Sequence, residues 1–285
     1  MSYDVKITSR NYFPVVFSLA LTWIVTLLGA QAKLSFPRLI ITPIEEPAPT
    51  APPGQALLNP APYLNTLIVI GLITASGVVV LYLARKKRKL FRALIGSLIW
   101  LISFSITTIY LLDIALIIDP AIFKFWIPAA ILGASLVTYA LLKSGEFASS
   151  IAASYIASGA GGTIGMSIPY WTFMVLVAGI SIYDVLAVYK GHLSTLTKED
   201  AVSLKGLTIE IGDVVVGMGD LFFYSLTLAA VLWNLGLAPA IAASASMLIG
   251  YTITLRSLQK RKILPGLPIP LLTAIGSAFL VKSLI

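Results

Sequence analysis

The chain is a succession of apolar stretches, each about twenty residues long, and few folds accept such a sequence. About twenty apolar residues cross the hydrocarbon core of a bilayer as one helix. Nine stretches qualify: 12–32, 63–84, 91–112, 122–143, 146–168, 169–190, 211–233, 236–256 and 264–284. Of the 285 residues, 58% are hydrophobic and only 11% charged. A water-facing surface cannot be built from that mixture. This excludes a soluble enzyme, a nucleic-acid-binding domain and a disordered protein. The expectation is an all-α polytopic membrane protein with about nine transmembrane helices, multi-pass in the cell membrane.

Charge sets the orientation. With the amino terminus in the cytoplasm, sixteen of the twenty basic residues lie inside, among them the cluster from Arg85 to Arg92. The outside keeps Lys33, Arg38, Lys124 and Lys282. Such a bias fixes topology, and the inner cluster suits contacts to anionic lipid. Trp126, Trp171 and Trp233 fall at the outer helix ends, as an interfacial aromatic belt would place them. The run Phe13–Gly29 exceeds a signal-peptide core and reads as a retained anchor.

The organisation expected is one membrane domain, 1–285. Residues 1–168 form a five-helix scaffold with an outer loop at 33–62, and 169–285 hold helices six to nine. That loop contains eight of the sixteen prolines and reads as extended and polyproline-like. Helix five is rich in Ala, Ser and Gly, and Gly161 and Gly165 form a Gly-xxx-Gly pair suited to close helix packing. The absence of cysteine and the single histidine, His192, remove thiolate and histidine-rich metal sites. No metal or cofactor is expected.

Two of the seven aspartates, Asp184 and Asp220, fall inside apolar stretches, where a carboxylate is a functional candidate by default. Asp184 precedes Lys190 by six residues, and Asp220 follows Asp213 by seven. In helices those spacings put both acids roughly 9–10 Å below the inner boundary. Helices six and seven are antiparallel and joined by a short loop, so the two carboxylates can meet. Two acids in contact cannot both ionise cheaply, and a pair sharing one proton can activate a water between them. That is the chemical core of an aspartic protease. Paired intramembrane acids also carry protons, so an ion or proton transporter is the alternative from another class. Were helix seven to begin by Glu210, then Glu210, Asp213, Gly217 and Asp220 would share one face and line a wet entrance, or the first two would cap the helix, or both. Asp113, near the outer end of helix three, reads as a snorkelling carboxylate.

The residues around both acids carry a resemblance. Pro169–Val188, with Tyr183-Asp184, resembles the sixth helix of presenilins, and Gly217-Met218-Gly219-Asp220 resembles the Gly-x-Gly-Asp motif of their seventh. Pro265-Gly266-Leu267-Pro268 is similar to the Pro-Ala-Leu-Pro motif that opens their ninth, with glycine replacing alanine. The resemblance covers the carboxy-terminal half by motif and the first five helices by topology alone. It implies a presenilin-like fold and an intramembrane aspartic endopeptidase of the presenilin and signal-peptide-peptidase kind, in a single-chain archaeal style. It implies Asp184 and Asp220 as the catalytic pair, with Tyr183, Gly217, Met218, Gly219, Pro265, Gly266, Leu267 and Pro268 shaping the site or binding substrate. Gly217 and Gly219 would serve either close packing or substrate approach, and Tyr183 either a hydrogen bond or packing. The substrate implied is a transmembrane peptide or membrane protein, with no obligate protein partner. Prepilin-type peptidases share Gly-x-Gly-Asp but have fewer helices and lack Pro-x-Leu-Pro. The loop from Gly191 to Glu210 is too short for the long cytoplasmic segment of animal presenilins.

Overall fold

The computed structural model describes residues 6–32, 42–190, 206–259 and 264–285. Nine helices dominate it: α1 (Phe13–Gln31), α2 (Ala61–Lys86), α3 (Arg88–Ile117), α4 (Trp126–Lys143), α5 (Glu146–Ser167), α6 (Tyr170–Lys190), α7 (Met218–Leu235), α8 (Leu237–Leu258) and α9 (Pro268–Leu284). Seven of the described helices are long and apolar enough to cross a membrane. The other two are α5, diluted by serine and glycine, and α9, with 17 residues. The chain is a multi-pass integral membrane protein, and the expected count of nine spans is approximate.

Sequence punctuation accounts for the helix ends. Basic residues close α2 and open α3 on either side of Lys87, whose backbone leaves the helical region. Pro169 separates α5 from α6, since proline cannot continue a helix bond. Gly236, at φ 100°, turns the chain sharply between α7 and α8, a conformation that costs glycine least.

At the centre α5 lies against α7. A Cβ on Gly161 would come within 2.5 Å of the Phe222 carbonyl oxygen, and one on Gly165 within 2.9 Å of Ala229 Cβ. The small residues of α5 thus let two backbones touch. α1 covers this pair, tied by a 2.8 Å contact between the Ser18 and Ser225 hydroxyls. α8 packs along α9, α3 along α4, and α2 along α6.

Residues 208–217 differ from expectation. They form an antiparallel hairpin, β1 (Thr208–Ile211) and β2 (Val214–Gly217), with Ile211 opposite Val214 across the two-residue turn Gly212-Asp213. Gly212 takes φ 58°, as tight hairpin turns require. Alternating β-branched residues explain the choice: Ile209, Ile211, Val214 and Val216 are buried, while Glu210 and Val215 face outward. α7 therefore starts at Met218, not near 211, and Glu210, Asp213, Gly217 and Asp220 share no helical face.

Three further expectations are corrected. Asp113 does not snorkel; it is fully buried and neither carboxylate oxygen has a hydrogen-bond partner among the described residues. Trp171 is not a lipid-facing belt residue, because its indole is buried and donates to the Ala48 carbonyl at 3.1 Å. Within the outer loop, Pro53–Leu58 is helical, with proline at the first position where its missing N–H costs nothing. His192 and most of the Gly191–Glu210 loop lie outside the described residues.

Candidate active site

Asp184 and Asp220 arrive from elements of different kind. Asp184 is held fifteen positions into α6, whereas Asp220 is the third residue of α7, delivered directly by the hairpin. The Met218 N–H bonds to the Leu207 carbonyl at 3.0 Å, which fixes the junction between hairpin and helix. Both carboxylates are half-buried.

The segment before α9 brings them together. Residues 264–267 are not helical, and α9 begins at Pro268. Proline at 265 and 268 removes two backbone donors and frees this stretch from helix bonding. The Leu267 N–H donates to Asp184 Oδ2 at 2.9 Å. On the other side the Asp220 carboxylate rests on Gly266. A Cβ at Gly266 would overlap that carboxylate and lie 2.8 Å from its Cγ. One bare peptide unit, Gly266-Leu267, thus touches both acids.

The remaining expected residues fall around this point. Gly217 is in ordinary contact with Asp220: a Cβ there would lie 3.6 Å from Oδ2. Gly219 faces open space, with no atom within 4 Å of a Cβ. Tyr183 and Met218 are partly buried and pack against the main core. Leu267 is buried. Pro265 and Pro268 line a cavity of about 490 Å³ with Val185, Tyr189, Thr254 and Ile269.

Sequence reasoning missed Tyr224. It is buried, and its hydroxyl donates to the Gly266 carbonyl at 2.7 Å. Its position four residues after Asp220, on the same helix face, was the available signal. Behind it Tyr251 makes an edge contact at 6.3 Å, and the Tyr251 hydroxyl donates to the Asn11 carbonyl at 3.0 Å. Among the described residues no group of three or more His, Cys, Asp or Glu side chains could hold a metal ion.

Two solved structures of a presenilin family intramembrane aspartate protease, one in space group C222 and one in P2, superpose on nearly the whole chain. The first is 22% identical over 96% of this chain and 97% of its own, with a TM-score of 0.65. The second is 23% identical over 98% of each, with a TM-score of 0.64. The chain has a presenilin-like fold. No protein-family model matches the sequence, and no curated protein matches it. Within the presenilin-like fold, α6 and α7 carry the two carboxylates, and Gly217 at the end of β2 and the Gly266-Leu267 peptide before α9 lie against them.

Proposed function

We propose that the chain is an intramembrane aspartic endopeptidase that cuts transmembrane helices of membrane-protein or signal-peptide substrates, with Asp184 and Asp220 as its catalytic pair. The observation that carries this reading is the convergence of two carboxylates, from separate helices, on the Gly266-Leu267 peptide. The presenilin-like fold adds support, because the matched structures are of an aspartate protease.

The chemistry follows from the pair. One carboxyl group carries a proton and the other is ionised. The ionised group takes a proton from a water molecule as its oxygen attacks the scissile carbonyl carbon. The protonated group gives its proton to the carbonyl oxygen, forming a tetrahedral diol. Collapse of the diol breaks the C–N bond: the leaving nitrogen receives a proton from the carboxyl that accepted one, while the other carboxylate takes a proton from a diol hydroxyl as the C=O bond reforms. Water is consumed and the pair returns to its singly protonated form. Because a helical substrate hides its amides, cleavage requires local unwinding, and the non-helical segment at Pro265-Gly266-Leu267-Pro268 offers backbone groups to an unwound strand. Gly217, Met218, Gly219 and Tyr183 shape the approach to Asp220 and Asp184 in this reading.

Purified chain incubated with a helical membrane peptide tests the proposal. Discrete internal cleavage, lost in both Asp184→Asn and Asp220→Asn, is expected. Dyad-dependent ion flux in liposomes with no cleavage would replace the protease by a transporter.

A further inference from the structure

The outer loop is fastened to α6 by a carboxylate remote in sequence. Glu46 Oε1 accepts from the Trp171 N–H at 2.9 Å, and Oε2 from the Thr172 N–H at 2.7 Å and the Thr172 hydroxyl at 2.8 Å. The two amides belong to the first turn of α6, where N–H groups lack acceptors within the helix. Glu46 thus caps α6 across 125 residues of sequence. Asn65 of α2 completes the fastening: it exchanges hydrogen bonds with the Ile44 backbone at 2.9 and 3.2 Å and donates to the Thr172 hydroxyl at 3.2 Å. Asn65 and Thr172 are both fully buried.

This brace fixes the outer end of α6, the end remote from Asp184. α6 packs along α2, meets α9 beside Asp184, and touches α7 only lightly. α2 is itself weakly seated: after Ala61, Pro62, Asn65 and Thr66, its only buried residue is Ala84. The cap therefore joins α6 to α2 at the end where α2 itself is buried. Asp184 lies twelve residues beyond Thr172 on the same helix, about 18 Å away. A tilt of about 3° around the cap carries a group at that distance about 1 Å sideways, and a displacement of that size can cost up to about 10²-fold in rate.

The geometry points to Glu46 as a positioning residue for Asp184, acting through α6 from the opposite side of the membrane. The inference rests on the protease reading above, and the experiment separates the two. The full-length chain, Glu46→Ala, Glu46→Gln, Thr172→Val and the exposed neighbour Glu45→Ala are compared in one lipid. Cleavage of a helical peptide is followed as kcat and KM at temperatures well below melting, cleavage sites are read by mass spectrometry, and amide hydrogen exchange is measured at residues 171 and 172.

In Glu46→Ala, kcat is expected to fall about tenfold. KM should stay within about twofold and the distribution of cleavage sites should shift, a change that mere loss of stability does not produce. Glu46→Gln, which retains one acceptor oxygen, and Thr172→Val, which retains the backbone bonds, are expected to fall in between. Glu45→Ala should match the parent. Exchange at 171 and 172 should accelerate in Glu46→Ala. If Glu46→Ala speeds exchange yet cleaves at the parental rate and sites, the positioning role is overturned and the protease reading stands. If the parent itself cleaves nothing, the protease reading fails and the positioning role fails with it, while accelerated exchange would still report the cap.

Discussion

Tyr224 and Gly266 are joined by a 2.7 Å hydrogen bond, hydroxyl to carbonyl, across 42 residues of sequence. The bond holds the peptide unit whose other end donates to Asp184. Tyr224→Phe keeps the ring and removes the donor, leaving a carbonyl unpaired in a buried place. That should cost about 1–3 kcal/mol. The expected outcome is a lower melting temperature together with a fall in kcat, measured on the same preparation. Unchanged cleavage would mean that the orientation of Gly266 does not matter to the proposed chemistry.

Gly266→Ala and Gly219→Ala separate crowding of the carboxylates from loss of glycine as such. A methyl at 266 meets the Asp220 carboxylate, which can swing aside, so the fold should survive while cleavage drops at least about tenfold. A methyl at 219 meets nothing within 4 Å, so melting should shift little. Any loss of activity in Gly219→Ala would then report hindered substrate approach. Melting curves and cleavage assays on the two variants decide between these outcomes.

Activity should follow a bell-shaped pH profile. On the acid side both carboxyl groups are protonated and no base remains; on the alkaline side both are ionised and no acid remains. The two apparent pKa values belong to the pair, not to either residue. Asp184→Asn and Asp220→Asn should each abolish cleavage, and the double variant should be no worse than either single one. A rate that rises steadily to pH 2 contradicts the shared-proton mechanism.

Gly161→Ala tests the central packing. The added methyl would sit 2.5 Å from the Phe222 carbonyl oxygen and 2.8 Å from Ser225 Cβ, and neither belongs to a flexible side-chain tip. Overpacking of this kind costs about 1–3 kcal/mol. Gly276→Ala, with no atom within 4 Å of the new methyl, is the matched control on α9 and should melt like the parent.

Long apolar runs and basic flanks made the helices legible, and the Gly-xxx-Gly spacing made the contact face of α5 legible, because these signals are local and periodic. Asp184 and Asp220 stood out for the same reason: charge is rare in such surroundings. The hairpin was hidden by its own apolarity. Ile209, Ile211, Val214 and Val216 read equally well as the start of a spanning helix, and only Gly212-Asp213 marked the turn. Depth arguments based on helical rise from Asp213 fail for that reason, although the two acids still approach each other. Glu46 and Asn65 could not be assigned, since a cap supplied across 125 residues leaves no trace in local spacing. Asp113 was misread because helix-end position gives no information on which neighbours close over a side chain.

The helix that delivers Asp220 and the one that begins beside both acids are short. α7 has 18 residues and α9 has 17, about 27 and 26 Å of helix, whereas α3 has 30 residues and about 45 Å. A typical hydrocarbon core is about 30 Å thick. Hydrophobic mismatch is therefore concentrated around Asp220 and Gly266, where a bilayer thins or admits solvent to meet helices that stop early. Backbone without helix bonds, as at 264–267, is tolerated at membrane depth only where protein or a water-filled cavity surrounds it. On the proposed function, acyl-chain length should set how far the lipid dimples toward Asp220, and the thickness of the membrane becomes an adjustable wall of the reaction chamber.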